Sequence, residues 1–121
     1  MARILAVDDS PAMRQMVSVT LRSAGHQVVE ANDGCAALEI AKKEPAMDLV
    51  LTDINMPNMD GITLVRELRQ LNHYRGVPLL VLTTEATAQK KQEGKAAGAT
   101  GWIVKPFNPE RLLATIAKVI G

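Results

Sequence analysis

Short apolar runs and amphipathic stretches alternate along the chain. The apolar runs are Ile4–Val7, Val28–Val29, Leu49–Leu51, Leu79–Leu82 and Trp102–Val104. Runs this short and this apolar are what strands buried on both faces look like. Between them the apolar residues recur at helical spacing. Met13, Met16, Val17, Thr20, Leu21 and Ala24 form one stripe, with Gly25 placed to end it. Ala36, Ala37, Ile40 and Ala41 form a second, and Leu64, Val65, Leu68 and Leu71 a third. Leu112, Leu113, Ile116 and Ile120 form the last, opened by Asn108-Pro109 as cap and first turn. Strands alternating with helices predict a doubly wound α/β fold of (βα)5 type, a five-stranded parallel sheet covered on both faces.

The helix expected between strands four and five breaks the pattern. Its sequence, EATAQKKQEGKAAGA, contains no Leu, Ile, Val, Met or Phe. Gly94 sits inside it, at a cost of about 1 kcal/mol relative to alanine. Such a stretch is commonly a solvated Lys/Glu/Gln face over a small alanine stripe. The alternative expectation is a helix anchored weakly enough to shift.

The polar residues next to the strands are not scattered. Asp8 and Asp9 follow the first strand, Thr52 and Asp53 end the third, Thr83 and Thr84 end the fourth, and Lys105 follows the fifth. In an open parallel sheet, side chains just past the carboxyl ends of the strands share one crevice. Three carboxylates there, Asp8, Asp9 and Asp53, repel one another unless their pKa values rise or cations sit among them. Lys105 supplies one positive charge. A divalent metal is the other obvious cation, and ligands that are all oxygen favour Mg²⁺, Mn²⁺ or Ca²⁺. Mg²⁺ suits a sparse, open arrangement of one or two carboxylates completed by water and phosphate oxygens.

A carboxylate beside Mg²⁺, a lysine and a hydroxyl can accept a phosphoryl group as an acyl phosphate. The cations neutralise the phosphoryl oxygens, and a threonine hydroxyl donates to one of them. Composition does not say which aspartate attacks. Each part has a blander explanation on its own. An Asp-Asp pair is commonly a solvated turn, Ser10-Pro11 a helix start, and a lone lysine a surface residue. Asn58, Asp60 and Gly61 have loop and cap chemistry. The convergence of these parts on four strand ends carries the functional reading.

Composition excludes other classes. The 121 residues are 47% hydrophobic and 22% charged, and suit one globular domain over 1–121 with no appended output module. The net charge of +1 offers no field for nucleic acid or a membrane surface. Tyr74, Trp102 and Phe107 are too few for a base-stacking platform. Cys35 is the only cysteine, and His26 and His73 are isolated surface residues by this reading, so no zinc constellation is expected. A lone cysteine and an N-terminus interrupted by Asp8 point to a cytoplasmic protein.

The segments VDDSP, LTDINMPNMDG, LTTE and WIVKPF, in this order and on these strand ends, resemble the receiver domain of two-component response regulators. The resemblance covers the whole chain and is nearest to the single-domain chemotaxis regulators, the CheY-like proteins. It implies a flavodoxin-like sheet of strand order 2-1-3-4-5. It implies that Asp53 is the phosphoacceptor, taking its phosphoryl group from a phosphohistidine on a CheA-like histidine kinase. Asp8 and Asp9 match the acidic pair that holds Mg²⁺, with Asp53 and the backbone carbonyl of Asn55 as further ligands. Thr83 matches the hydroxyl that moves to the phosphoryl group, Trp102 the aromatic switch position, and Lys105-Pro106 the family's lysine and its cis peptide bond.

Two departures stand out. Trp102 occupies a position where Tyr or Phe is commoner, and a bulkier ring is harder to bury. Thr84 stands where a small residue is common, which narrows access to the phosphoryl group. Asn55, Thr84 and Glu85 are expected to set the lifetime of the phosphate. The resemblance further implies a monomer, a flagellar motor switch protein downstream, and a possible phosphatase partner. Rival readings are a phosphorelay intermediate or phosphate sink feeding a histidine phosphotransfer domain, and an aspartate-nucleophile phosphatase. The second is disfavoured because such enzymes carry Asp-x-Asp on the first strand and a cap over the site, and here the aspartates are adjacent.

Overall fold

The computed structural model describes residues 2–120; Met1 and Gly121 lie outside the described residues. Five strands and five helices alternate: β1 (Arg3–Val7), α1 (Pro11–Ser23), β2 (Gln27–Ala31), α2 (Gly34–Lys43), β3 (Leu49–Thr52), α3 (Gly61–Gln70), β4 (Leu79–Thr83), α4 (Ala88–Ala97), β5 (Gly101–Val104) and α5 (Pro109–Ile120). The strands form one parallel sheet in the order β2-β1-β3-β4-β5. The chain therefore reverses winding direction between β2 and β3, and the crevice for a ligand opens there, at the carboxyl ends of β1 and β3.

Alternation along the strands splits the core in two. Leu5, Val7, Val50, Leu79 and Val81 face one side, under α2, α3 and α4. Ile4, Ala6, Leu49, Leu51, Leu80 and Leu82 face the other, against Val17, Leu21, Leu112 and Ile116 of α1 and α5. The central strands β1, β3 and β4 are buried almost throughout, whereas the edge strands β2 and β5 are half-exposed. Truncating a leucine of the central strands to alanine removes about 2–5 kcal/mol.

Helix ends follow their local chemistry. Ser10, Asp33, Asp60 and Thr87 cap α1 to α4, each accepting a backbone N–H three residues on. Asn108 does the same for α5 through the N–H of Arg111. Gly25, with φ +90°, follows α1 as expected, and the N–H groups of Gly25 and His26 donate to the carbonyls of Arg22 and Leu21.

Three packing details differ from the sequence pattern. Met16 is 55% exposed, not part of the core stripe of α1, because Val17 and Leu21 already fill the space against the sheet. Ala24 and Ile120, also assigned to stripes, lie exposed at helix ends. Tyr74, in a short 3₁₀ turn after α3, is fully buried, and its hydroxyl accepts the N–H of Met47.

α4 is the least anchored helix. Its buried residues are Gly94 and Ala97. Its C-terminal end is held from outside by Arg69 of α3, whose guanidinium donates to the carbonyl of Gly98 at 3.0 and 2.9 Å and to those of Tyr74 and Val77. No helix among the described residues is long and apolar enough to cross a membrane.

Candidate functional site

The carboxyl edge of the sheet gathers the polar strand-end residues. Asp8 leaves β1 with its N–H donating to Ala31, Asp53 leaves β3 with its N–H donating to Val7, and Lys105 leaves β5 with its N–H donating to Thr83. These ladder bonds fix each backbone, so the three side chains converge without relying on mobile loops. Asp8 is 5% exposed and Asp53 9%. One carboxylate oxygen from each of Asp8, Asp9 and Asp53 lies within 4.8 Å of the others, a spacing that one metal ion can span.

Lys105 is the cation inside this cluster. Its Nζ donates to Asp8 Oδ2 at 2.9 Å and to Asp53 Oδ2 at 3.2 Å. Burial alone would push the Lys105 ammonium down. The Asp8 hydrogen bond and the negative charges of Asp53 and Asp8 outweigh that and hold its pKa above the ordinary lysine value. The remaining carboxylate oxygens are oriented by backbone. Ser10 N–H donates to Asp8 Oδ1 at 2.9 Å, and Ile54 N–H to Asp53 Oδ1 at 2.7 Å. The Lys105–Pro106 peptide is cis.

The threonines separate. Thr83 is fully buried, and its Oγ1 accepts the N–H of Glu85 at 3.2 Å, while Thr84 is exposed. Thr52 is turned away from the crevice, its hydroxyl donating to the carbonyl of Asp53. Asn55 is exposed in the loop after β3. Trp102 is half-buried, and its Nε1 donates to the carbonyl of Glu85 at 2.9 Å. The larger ring therefore does find partial cover, which the residue's size alone argued against.

Some supporting residues are invisible to strand-end reasoning. Gly61 opens α3 directly beneath the site, and a Cβ there would overlap the carbonyl oxygen of Asp53. Arg14 donates to the carbonyl of Asp8 at 2.7 Å and pairs with Glu30 at 3.1 Å, tying α1 and β2 to the acidic turn. Gly61 reads from the sequence only as loop and cap chemistry, and Arg14 is not marked by its local sequence. Gly61 resembles any helix-start glycine and Arg14 any helix-surface arginine.

A family model described as the response regulator receiver domain matches residues 4–117. The chain belongs to the response regulator receiver domain family. It is 36% identical over 120 residues to a chemotaxis protein CheY homolog of Campylobacter jejuni, covering 98% of this chain and 92% of that protein. Among solved structures it superposes on the Vibrio cholerae chemotaxis protein CheY4 with a TM-score of 0.93 at 54% identity, covering 98% of each chain. It superposes equally on the receiver domain of a sensor histidine kinase from Pseudomonas aeruginosa, with a TM-score of 0.92 at 31% identity, covering 99% of this chain and 98% of that one. That receiver has a magnesium ion coordinated in its active site cleft. The acidic cluster of this receiver domain has the donor set such an ion takes: hard, anionic oxygens converging from two strand ends.

Proposed function

We propose that this receiver is a phosphorylation-controlled chemotaxis regulator, in which Asp53 accepts a phosphoryl group from the phosphohistidine of a CheA-type kinase. The observation that carries the reading is the buried Lys105 bridge between Asp8 and Asp53, inside a cluster of three carboxylates. One buried lysine does not balance three carboxylates, so the site is built to receive further positive charge. Asp8, Asp9, Asp53 and the backbone carbonyl of Asn55 would hold Mg²⁺, which supplies charge neutralisation at the phosphoryl oxygens.

This chain's own residues do the rest. An Asp53 carboxylate oxygen attacks phosphorus, the bond to the donor nitrogen or oxygen breaks, and the donor leaves with the electron pair. Lys105, held within reach of Asp53, meets the incoming phosphoryl oxygens. Thr83 releases the Glu85 N–H and turns its hydroxyl to the phosphoryl group. The segment after β4, Trp102 and the weakly anchored α4 then settle in a second arrangement that a partner reads. Pro106 shapes the backbone beside Lys105, and exposed Thr84 and Asn55, with half-buried Glu85, control water access and so phosphate lifetime. The protein works as a monomeric cytoplasmic messenger and a signalling phosphoacceptor, with a flagellar motor switch protein as its target.

Intact-mass measurement after incubation with acetyl phosphate tests the chemistry. A single phosphoryl adduct that requires both Mg²⁺ and Asp53, and is lost in Asp53→Asn, is the expected result. A folded wild-type protein without an adduct would overturn the reading.

A further inference from the structure

Gly94 lies in the middle of α4, where glycine is a poor choice for helix stability. A Cβ built at this position would stand 2.7 Å from Cζ3 and 3.1 Å from Cε3 of Trp102. The six-membered edge of the indole fills the space that any other side chain would take. The opposite edge of the same ring reaches the site's switch segment, because Nε1 donates to the carbonyl of Glu85 at 2.9 Å. Glu85 in turn donates its own N–H to Thr83 Oγ1. One ring therefore spans from the notch in α4 to the segment that holds Thr83.

The rest of α4 offers little to compete with this seat. Its buried residues are Gly94 itself and Ala97, and Arg69 holds the helix from its far end at Gly98. We infer that Gly94 is a positioning residue, the seat that makes a tryptophan workable at position 102 and couples α4 to Thr83. The seat itself rests on packing geometry; its effect on signalling rests on the phosphorylation reading above. With the ring in the notch, a shift of the Glu85 carbonyl moves Trp102, and Trp102 carries α4 with it.

Trp102 is the only tryptophan, so its fluorescence reports the seat directly. The variants are Gly94→Ala, Trp102→Ala and the double substitution. In the native background Gly94→Ala is expected to shift the emission to longer wavelength and to lower Tm, although alanine is the better helix former. In the Trp102→Ala background the same change is expected to raise Tm. If Gly94→Ala alone does not fold, the double variant is expected to recover folding. With acetyl phosphate and Mg²⁺, wild type should change its emission and its amide exchange over Ala88–Ala97. Gly94→Ala should take the phosphoryl group to the same extent by intact mass and lose the emission change.

A rise in Tm in both backgrounds, a double variant that does not recover folding lost in Gly94→Ala, or a phosphorylated Gly94→Ala with the wild-type emission change would overturn the inference. None of these touches the phosphoacceptor reading. A wild type without a phosphoryl adduct would overturn that reading, and the sign of the Tm change would still decide whether Gly94 seats Trp102.

Discussion

At the scale of single residues, the site depends on groups with no chemistry of their own. Gly61 is required by its neighbour, since a Cβ there would overlap the backbone oxygen of Asp53, and that backbone is fixed by its ladder bond to Val7. Gly61→Ala is expected to destabilise the protein by about 3 kcal/mol, the upper range for overpacking a site that cannot relax. Chemical denaturation measures it, and a loss within the few tenths typical of a surface change would refute the argument. Asp33, the cap of α2, acts instead through its charge. The N–H of Ala36 and then the side-chain amide of Asn58 bond its carboxylate and hold its pKa below the usual 3.8. A depressed folded pKa gives stability that is fully present above the ordinary carboxylate value and lost as pH falls through the depressed one. Asp33→Asn keeps the helix cap but cannot titrate. Acid denaturation curves of the two proteins should therefore converge as pH falls below that window, and parallel curves would count against the cap's charge.

At the scale of elements, the anchoring of the helices is unequal. α1 and α5 bury Val17, Leu21, Leu112 and Ile116 against one face of the sheet, whereas α4 buries a glycine and an alanine against the other. Local opening free energy follows buried apolar contact. Hydrogen exchange should show the amides of Ala88–Ala97 less protected than those of α1 and α5, with protection rising towards the Arg69-bound end at Gly98. Protection equal to that of α1 would refute a helix poised to shift. The weakness of α4 was legible in its composition, because no large apolar side chain was present to bury. Its two anchors were not. Arg69 lies on α3 and Trp102 on β5, and both act through contacts that only folding brings together.

At the scale of the whole molecule, the sheet edge concentrates negative charge. Asp8, Asp9 and Asp53 crowd around a single lysine, so removing one charge should stabilise the metal-free protein. Asp53→Asn is expected to raise Tm by a few degrees without metal, since it removes one of three crowded negative charges, although its single amide oxygen can keep only one of the bonds that Asp53 Oδ1 accepts from Ile54 and Oδ2 from Lys105. Mg²⁺ should stabilise wild type by RT ln(1 + [Mg²⁺]/Kd), about 2.7 kcal/mol at a hundredfold excess over Kd. It should do markedly less for the variant. Thermal melts with and without Mg²⁺ check both, and a variant that melts below wild type without metal would refute the charge argument.

The sequence by itself determined the element order, the two-sided burial of the central strands and the strand ends on which Asp8, Asp53, Thr83 and Lys105 sit. Those follow from local periodicity and from the rule that parallel strands end on one edge, so each could be read without a long-range contact. The tertiary structure alone decided the rest. It set Lys105 between Asp8 and Asp53, placed Gly61 under the Asp53 carbonyl, turned Met16 outward, buried Tyr74 and laid Trp102 over Gly94. Some of these contacts join residues far apart in the chain and others join neighbouring elements, and all depend on shape and distance that no local pattern of apolar and polar positions encodes.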